Sequence, residues 1–244
     1  IQAVGFDGTD DYINVGSPPI DEEPFSIFCW ISINGASAGN KFMFGNASNF
    51  SQAFGLYATG SAYHLRFESG GTGTDVNSTA ADVGSNIYVP HDNTWQFVGV
   101  TLQTDGTLQF YLNGVAVGNT ASYPQAYSAS SNYYIGQDRG GSYFKGLISQ
   151  LSVYDTDLSA SDIAGIYALG RKNANLSSSY PTNLIGYWLL NPTHSTPDAT
   201  GSNNILDRST NSNHGTQSGT VGFLGTNDGT PAGTPESIIV REGL

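Results

Sequence analysis

The chain has 244 residues, 38% of them hydrophobic, enough to bury a sizeable core in one large domain or two small ones. Twenty acidic residues against 8 basic ones give a net charge of -12, a surface that repels a phosphate backbone; nucleic acid is excluded as a natural partner, and cations or neutral polymers such as glycans fit better. Only 11% of residues are charged, and the Gly, Ser, Thr and Asn that replace them build turns rather than helix surfaces, the composition of an extracellular β-protein.

In chain order, AVGFDGTDDYINVG (3–16) alternates apolar and polar residues around an acidic turn and reads as two short strands. In PFSIFCWISI (24–33), Phe25, Ile27, Cys29, Ile31 and Ile33 point one way while Phe28 and Trp30 point the other. Both faces are apolar, so this strand is expected in the middle of its sheet, covered on both sides. KFMFGN (41–46), QAFGLYAT (52–59) and AYHLRFES (62–69) follow as further strands. WQFVGVTLQTDGTLQFYLNGVAVG (95–118) is a three-strand meander, because Asp105-Gly106 and Asn113-Gly114 tolerate the positive φ angles of tight hairpins. YYIGQDRGGSYFKGLISQLSVY (133–154) adds two strands around a Gly-rich loop.

The pattern then changes. Ser159 with Asp162 forms a capping box, Ile163, Ile166, Tyr167 and Leu169 make one apolar stripe, and Gly170 ends it, which predicts one short helix. NLIGYWLL (183–190) returns as a strand, followed by a polar loop, DRSTNSNHGT (207–216) and TVGFLG (220–225). Residues 225–235 read as a linker and SIIV (237–240) as a strand for a neighbouring chain or a frayed end, so a sandwich is expected over 1–224 and a tail over 225–244. The single cysteine, Cys29, excludes an internal disulfide and reads as a small buried hydrophobe. No apolar run approaches the roughly 20 residues that span a bilayer, so membrane insertion is not expected. The first residue is Ile1 rather than Met, and a processed chain or a segment of a longer one is expected.

The order of AVGFDGTDDYINVG, FSIFCWISI, the 95–118 meander and the strand, Gly-rich loop, strand and capped helix of 133–170 resembles the laminin-G-like and pentraxin branch of the concanavalin A-like superfamily. The resemblance implies an all-β, two-sheet antiparallel jelly-roll sandwich with one short helix. In many bacterial members a YW strand and a D-x-S-x-N-x-N-H-G-T turn precede the F-D-G-T-D-D-Y strand, whereas GYWLL and DRSTNSNHGT come late here. Either they complete this sandwich or they begin a following repeat. An unpaired YW strand would leave an apolar edge, which favours completion. The arrangement looks like laminin-G-like segments of bacteriophage virion proteins. It implies a virion structural, decoration or fibre module at the virion surface or outside the cell, with other virion proteins or copies of itself as partners, and cell-surface glycan as a further one. A calcium-dependent carbohydrate-binding module of a secreted bacterial protein is the alternative.

Sandwich-fold hydrolases carry carboxylates spaced so that alternate residues face a cleft. Glu occurs only at 22, 23, 68, 236 and 242, no pair has that spacing, and an enzyme is not expected. The four histidines are scattered and read as surface or turn residues. Calcium is the one cofactor carried, because it takes six to eight oxygens of the kind Asp, Asn and backbone supply. The pentraxin resemblance puts its ligands at Gln137 and Asp138, with Asn46 and Asn49 as the second pair, although Arg139 and Gly140 depart from the acid-rich pattern. Asp7, Asp10 and Asp11 near Asp207, Asn211 and Asn213 are a second candidate. For both sets the competing reading is side-chain turn hydrogen bonding. Tyr123, Tyr127 and Tyr143 lie in polar loops, where they stack on sugar rings or simply pack. Trp30, Trp95 and Trp188 are read as core.

Overall fold

A computed structural model describes residues 3–16, 20, 23–35, 39–46, 52–69, 75–123, 132–138, 141–173, 175–191, 195–197 and 203–224. The alternating segments become β1 (Ala3–Asp7), β2 (Tyr12–Gly16), β3 (Phe25–Asn34), β4 (Lys41–Asn46), β5 (Gln52–Thr59), β6 (Ala62–Ser69) and β7 (Val76–Asn77). A helical turn, α1 (Ala80–Val83), leads to the meander β8 (Asp92–Leu102), β9 (Thr107–Leu112) and β10 (Val115–Ser122). Then come β11 (Tyr133–Ile135), β12 (Lys145–Tyr154), the helices α2 (Ala160–Asn173) and α3 (Leu176–Ser179), and the short strands β13 (Leu184–Trp188), β14 (Ser195–Pro197), β15 (Asn203–Ile205), β16 (Gly215–Ser218) and β17 (Gly222–Leu224).

They form two antiparallel sheets. Sheet I runs β10-β9-β8-β3-β12-β1-β17, with β13 also on β12; sheet II runs β14-β15-β16-β2-β11-β4-β5-β6-β7. Between them lies one apolar core, to which β3 contributes Phe25, Ile27, Cys29, Ile31 and Ile33 and sheet II contributes Phe44, Phe54, Leu56, Leu65 and Phe67. Burial pushes the Cys29 thiol up, as expected for an inert buried sulfur. The other face of β3 carries Phe28 and Trp30 into a second cluster with Phe97, Tyr111, Ile163 and Ile166. That cluster is closed by α2, so β3 is apolar on both faces because both faces are covered.

The helix begins as the capping box predicts: the Ser159 hydroxyl accepts from the Asp162 N–H at 3.2 Å and donates to the Asp162 carboxylate at 2.5 Å. It breaks at Gly170, whose φ of 69° no helix interior tolerates. The YW strand stays with this sandwich. Trp188 pairs with Leu151 of β12, β16 pairs with β2 and β17 pairs with β1, so no apolar edge is left on β12 there. Trp188 is fully buried in the core, whereas Trp30 and Trp95 are half-exposed and lie on the outer side of sheet I, with Arg171 stacked 4.1 Å from the Trp95 ring. Trp30 packs into the second apolar cluster, so Trp95 is the one corrected, because strand alternation alone does not say which face of a sheet looks inward. The 225–244 tail lies outside the described residues.

Candidate functional site

Of the three tyrosines proposed as stacking platforms, Tyr123 belongs to the core. Tyr123 is 1% exposed and packs edge-on against Phe67 at 5.0 Å in the core. Its N–H donates to the Gly106 carbonyl at 2.8 Å, which draws the end of β10 inward over the β8–β9 turn and makes a loop residue a core residue. Tyr127 lies outside the described residues. Tyr143 is half-buried on the approach to β12 and is the one member placed near solvent.

The residues expected to hold calcium are also divided. Directly paired residues of an antiparallel ladder share a face. Asn46 pairs with Tyr133, a core residue stacked on Phe44 at 4.9 Å, so Asn46 looks inward; it is fully buried and its amide donates to Gln52 at 3.4 Å. Burial pushes the Tyr133 phenol far up, with the Asn46 side chain opposing. Gln137 and Asp138 stand on the other side of the same strand. The chain turns at Gly136, and the Gln137 carbonyl lies 3.4 Å from where a side chain on outward-facing Gly45 would begin. Asp138 accepts from the Ser142 N–H at 3.2 Å, closing its own loop. Asn49 lies outside the described residues. Among the described members, Asn46 therefore lies on the inner side of the sheet and the Gln137–Asp138 turn on the outer side.

The acidic turns are separate too. Because Thr216 pairs with Asn14 and Ser218 with Tyr12, residues 207–213 stand at the Gly16 end of β2 and Asp7–Asp11 at its other end. Each turn is occupied with its own backbone. Asp207 accepts from the N–H groups of Tyr187, Ser209 and Asn213 at 2.8–2.9 Å, and the Trp188 indole donates to the Asn213 carbonyl at 2.9 Å. Asp11, 2% exposed, accepts from the N–H of Asp7 at 2.9 Å and of Thr220 at 2.7 Å. Burial raises its pKa, with those two donors opposing. Ligand atoms of Asp7, Asp10 and Asp11 lie within 4.8 Å of one another, and those of Asp7 and Asp11 already accept backbone N–H groups of Thr9, Asp7 and Thr220.

What the structure does assemble is the outer face of sheet II. One cross-strand row reads Tyr134, Gly45, Ala53 and Glu68; the next places Gly55 beside Arg66 and Arg66 beside Asn77; a third pairs Tyr57 with His64. Arg66 donates through Nε to Glu68 at 2.9 Å and through Nη1 to Asn77 at 3.1 Å, and its Nη2 is bonded to Asp75. Its guanidinium also lies over the Tyr57 ring, 5.2 Å from the centroid. Burial raises the pKa of Glu68, Arg66 opposes, and Asp75 and Asp138 both lie within electrostatic reach of it. At the margins, Tyr12 meets Tyr134 edge-on at 5.3 Å, and His64 lies 4.9 Å from Tyr88, which is 55% exposed. His64 is not a surface residue as expected: it is buried, with Nδ1 at 2.9 Å from the Ser78 carbonyl and Nε2 at 3.0 Å from the Thr59 hydroxyl.

A laminin-G-type model of the concanavalin A-like lectin/glucanases superfamily matches residues 7–164. The chain belongs to this superfamily. A search of curated proteins finds no match in sequence. Among solved structures, a Bacteroides ovatus protein proposed to bind carbohydrate superposes with a TM-score of 0.68 at 18% identity, covering 92% of this chain and 60% of that one. This concanavalin A-like chain thus spans less than two thirds of that protein. The heptameric SAP-like pentraxin of Limulus polyphemus gives a TM-score of 0.51 at 17% identity over 69% of this chain and 82% of that one. Tailspike protein 2 of an Escherichia coli O157:H7 bacteriophage gives 0.51 at 14% identity over 76% of this chain and 26% of that one. At these identities the likeness establishes the fold.

Sequence reasoning missed Arg66, Glu68, Asp75, Tyr57 and Tyr88. One signal was available: in H-L-R-F-E the Arg and Glu are two apart on a strand and so share a face. Asp75 and Tyr57 reach the cluster across neighbouring strands, and no local spacing carries that.

Proposed function

We propose that this chain is a non-catalytic surface module that holds neutral glycan on the outer face of sheet II, carried by a larger assembly of the bacteriophage virion type as a decoration or fibre component. The observation that carries the reading is the grouping of Tyr57, exposed Tyr88 and the Arg66 cluster on the outer face of sheet II, opposite to the sheet that α2 packs against. Aromatic rings offer a flat apolar surface to a sugar, and fixed polar groups beside them orient its hydroxyls. The likeness to the Bacteroides protein supports the glycan reading, and the likeness to a tailspike supports the assembly reading. Non-catalysis is supported by the carboxylates themselves. Glu68 and Asp75 share one guanidinium instead of standing apart across a sugar, as an acid and its nucleophile or base must.

The test is an array of host-surface glycans probed with the wild-type protein, Tyr57→Ala and Tyr167→Ala. Wild type and Tyr167→Ala should bind the same glycans, while Tyr57→Ala loses about tenfold in affinity, the equivalent of roughly 1.4 kcal/mol. Silence of the wild type across the array overturns the glycan reading. Cryo-electron microscopy of particles tests the other half. Ordered copies of the sandwich on the surface support it, and a particle-free monomer in the culture medium sinks it.

A further inference from the structure

We infer that the Arg66 guanidinium is the resident cation of the outer face of sheet II and does there what a bound calcium ion would do. All three of its nitrogens have an oxygen partner, on Glu68, Asn77 and Asp75, and its flat side rests on Tyr57. The side chain is 11% exposed, so this is an enclosed arrangement and not a loose surface pair. Calcium at the same place would need six or more oxygens drawn together at 2.3–2.6 Å, typical of such sites. Two of the acidic groups within reach already face the guanidinium, Asp138 is turned toward the Ser142 N–H, and Asn46 is on the far side of β4.

Three consequences follow from one covalently attached cation. The face keeps its shape in chelator. Its charge is fixed at all physiological pH, because a guanidinium does not deprotonate. Three of the five Arg66 N–H donors are spent on Glu68, Asn77 and Asp75, and a sugar carboxylate would face those two carboxylates beside it, so the glycan of the proposed function would be read by Tyr57 and Tyr88 and by hydroxyl contacts.

Thermal melts of the intact protein in EDTA and in CaCl2, without any glycan, test the inference. Wild type and Arg66→Lys should melt at the same temperature in both. Arg66→Gln should melt lower in EDTA and recover in calcium, because Glu68 and Asp75 then lose their cation; at about 100 times the dissociation constant the gain is roughly 5–10 °C. A calcium-induced rise in wild type that disappears in Asp138→Asn overturns the inference, as does an Arg66→Gln protein that folds and ignores calcium. If Arg66→Gln does not fold, wild type and Arg66→Lys decide: silence in both supports the inference, and a rise in either overturns it. The melts involve no glycan, so their failure is distinguishable from failure of the glycan reading.

Discussion

The two outer faces of this sandwich are built on opposite plans. On sheet I, Phe28 stacks on Phe97 at 5.5 Å, Trp30 lies against Tyr167 of α2 at 5.5 Å, and Ile163 and Ile166 of the same helix are buried in that cluster. On sheet II the corresponding surface carries Arg66, Glu68, Asn77 and Tyr57 around Gly45, Ala53 and Gly55. The chain uses its long helix to close an aromatic face, and builds the other around an enclosed guanidinium cluster. The second face is the one the proposed function assigns to a ligand.

Substitutions sharpen or break this contrast. Phe28→Ala, on the closed face, should cost about 3–5 kcal/mol in denaturant melts, because a fully buried ring is replaced by a cavity beneath the helix. Gly99 opposite it is equally constrained, since a side chain there would begin 2.0 Å from the Phe28 ring. On the outer face of sheet II, Arg66→Ala should cost less, about 1–3 kcal/mol, chiefly by leaving carboxylates without their donors. Equal costs on the two faces would erase the distinction.

Asp11→Asn, at the turn that ties β1 to the chain before β17, should cost about 1 kcal/mol, because the amide leaves a single oxygen for two backbone donors. Its pH dependence has a definite sign. The folded-state pKa is raised above the ordinary carboxylate value, so the folded protein binds the proton more tightly than the unfolded chain. Stability from this group is fullest in acid and declines as pH rises through the ordinary value to the raised one. Asn does not titrate, so the gap between wild type and variant should be widest in acidic melts and narrowest at neutral pH; the reverse order contradicts the assignment. Smallest of all, Tyr57→Ala should change stability by only about 0.5–1 kcal/mol, the worth of a cation–π contact near the surface.

Much of the scaffold was legible in the residues. The two-faced alternation of 25–33 predicted an interior strand, Asn113 and Gly114 take the positive φ angles of 52° and 79° that their hairpin required, and the Ser159–Asp162 box marked the helix start. Those features are local, set by neighbours within a few positions. The site was not local. Asn46 and Asp138 were grouped by likeness to a family, yet Asn46 shares the inner face with Tyr133 while Asp138, past the turn at Gly136, lies within electrostatic reach of Glu68 on the outer face. Tyr123 follows a polar strand in a polar loop, and a backbone bond to Gly106 turned it inward. Arg66 finds Asp75 nine residues on, through a β6–β7 pairing that leaves no periodic trace in the sequence.

The most direct test of the two-face account is backbone-amide NMR mapping with the strongest ligand from the glycan array. Shifts are predicted to gather at Tyr57, His64, Arg66, Glu68 and Tyr88. Shifts confined to α2, Trp30 and Trp95 would place the ligand on the closed face and contradict it.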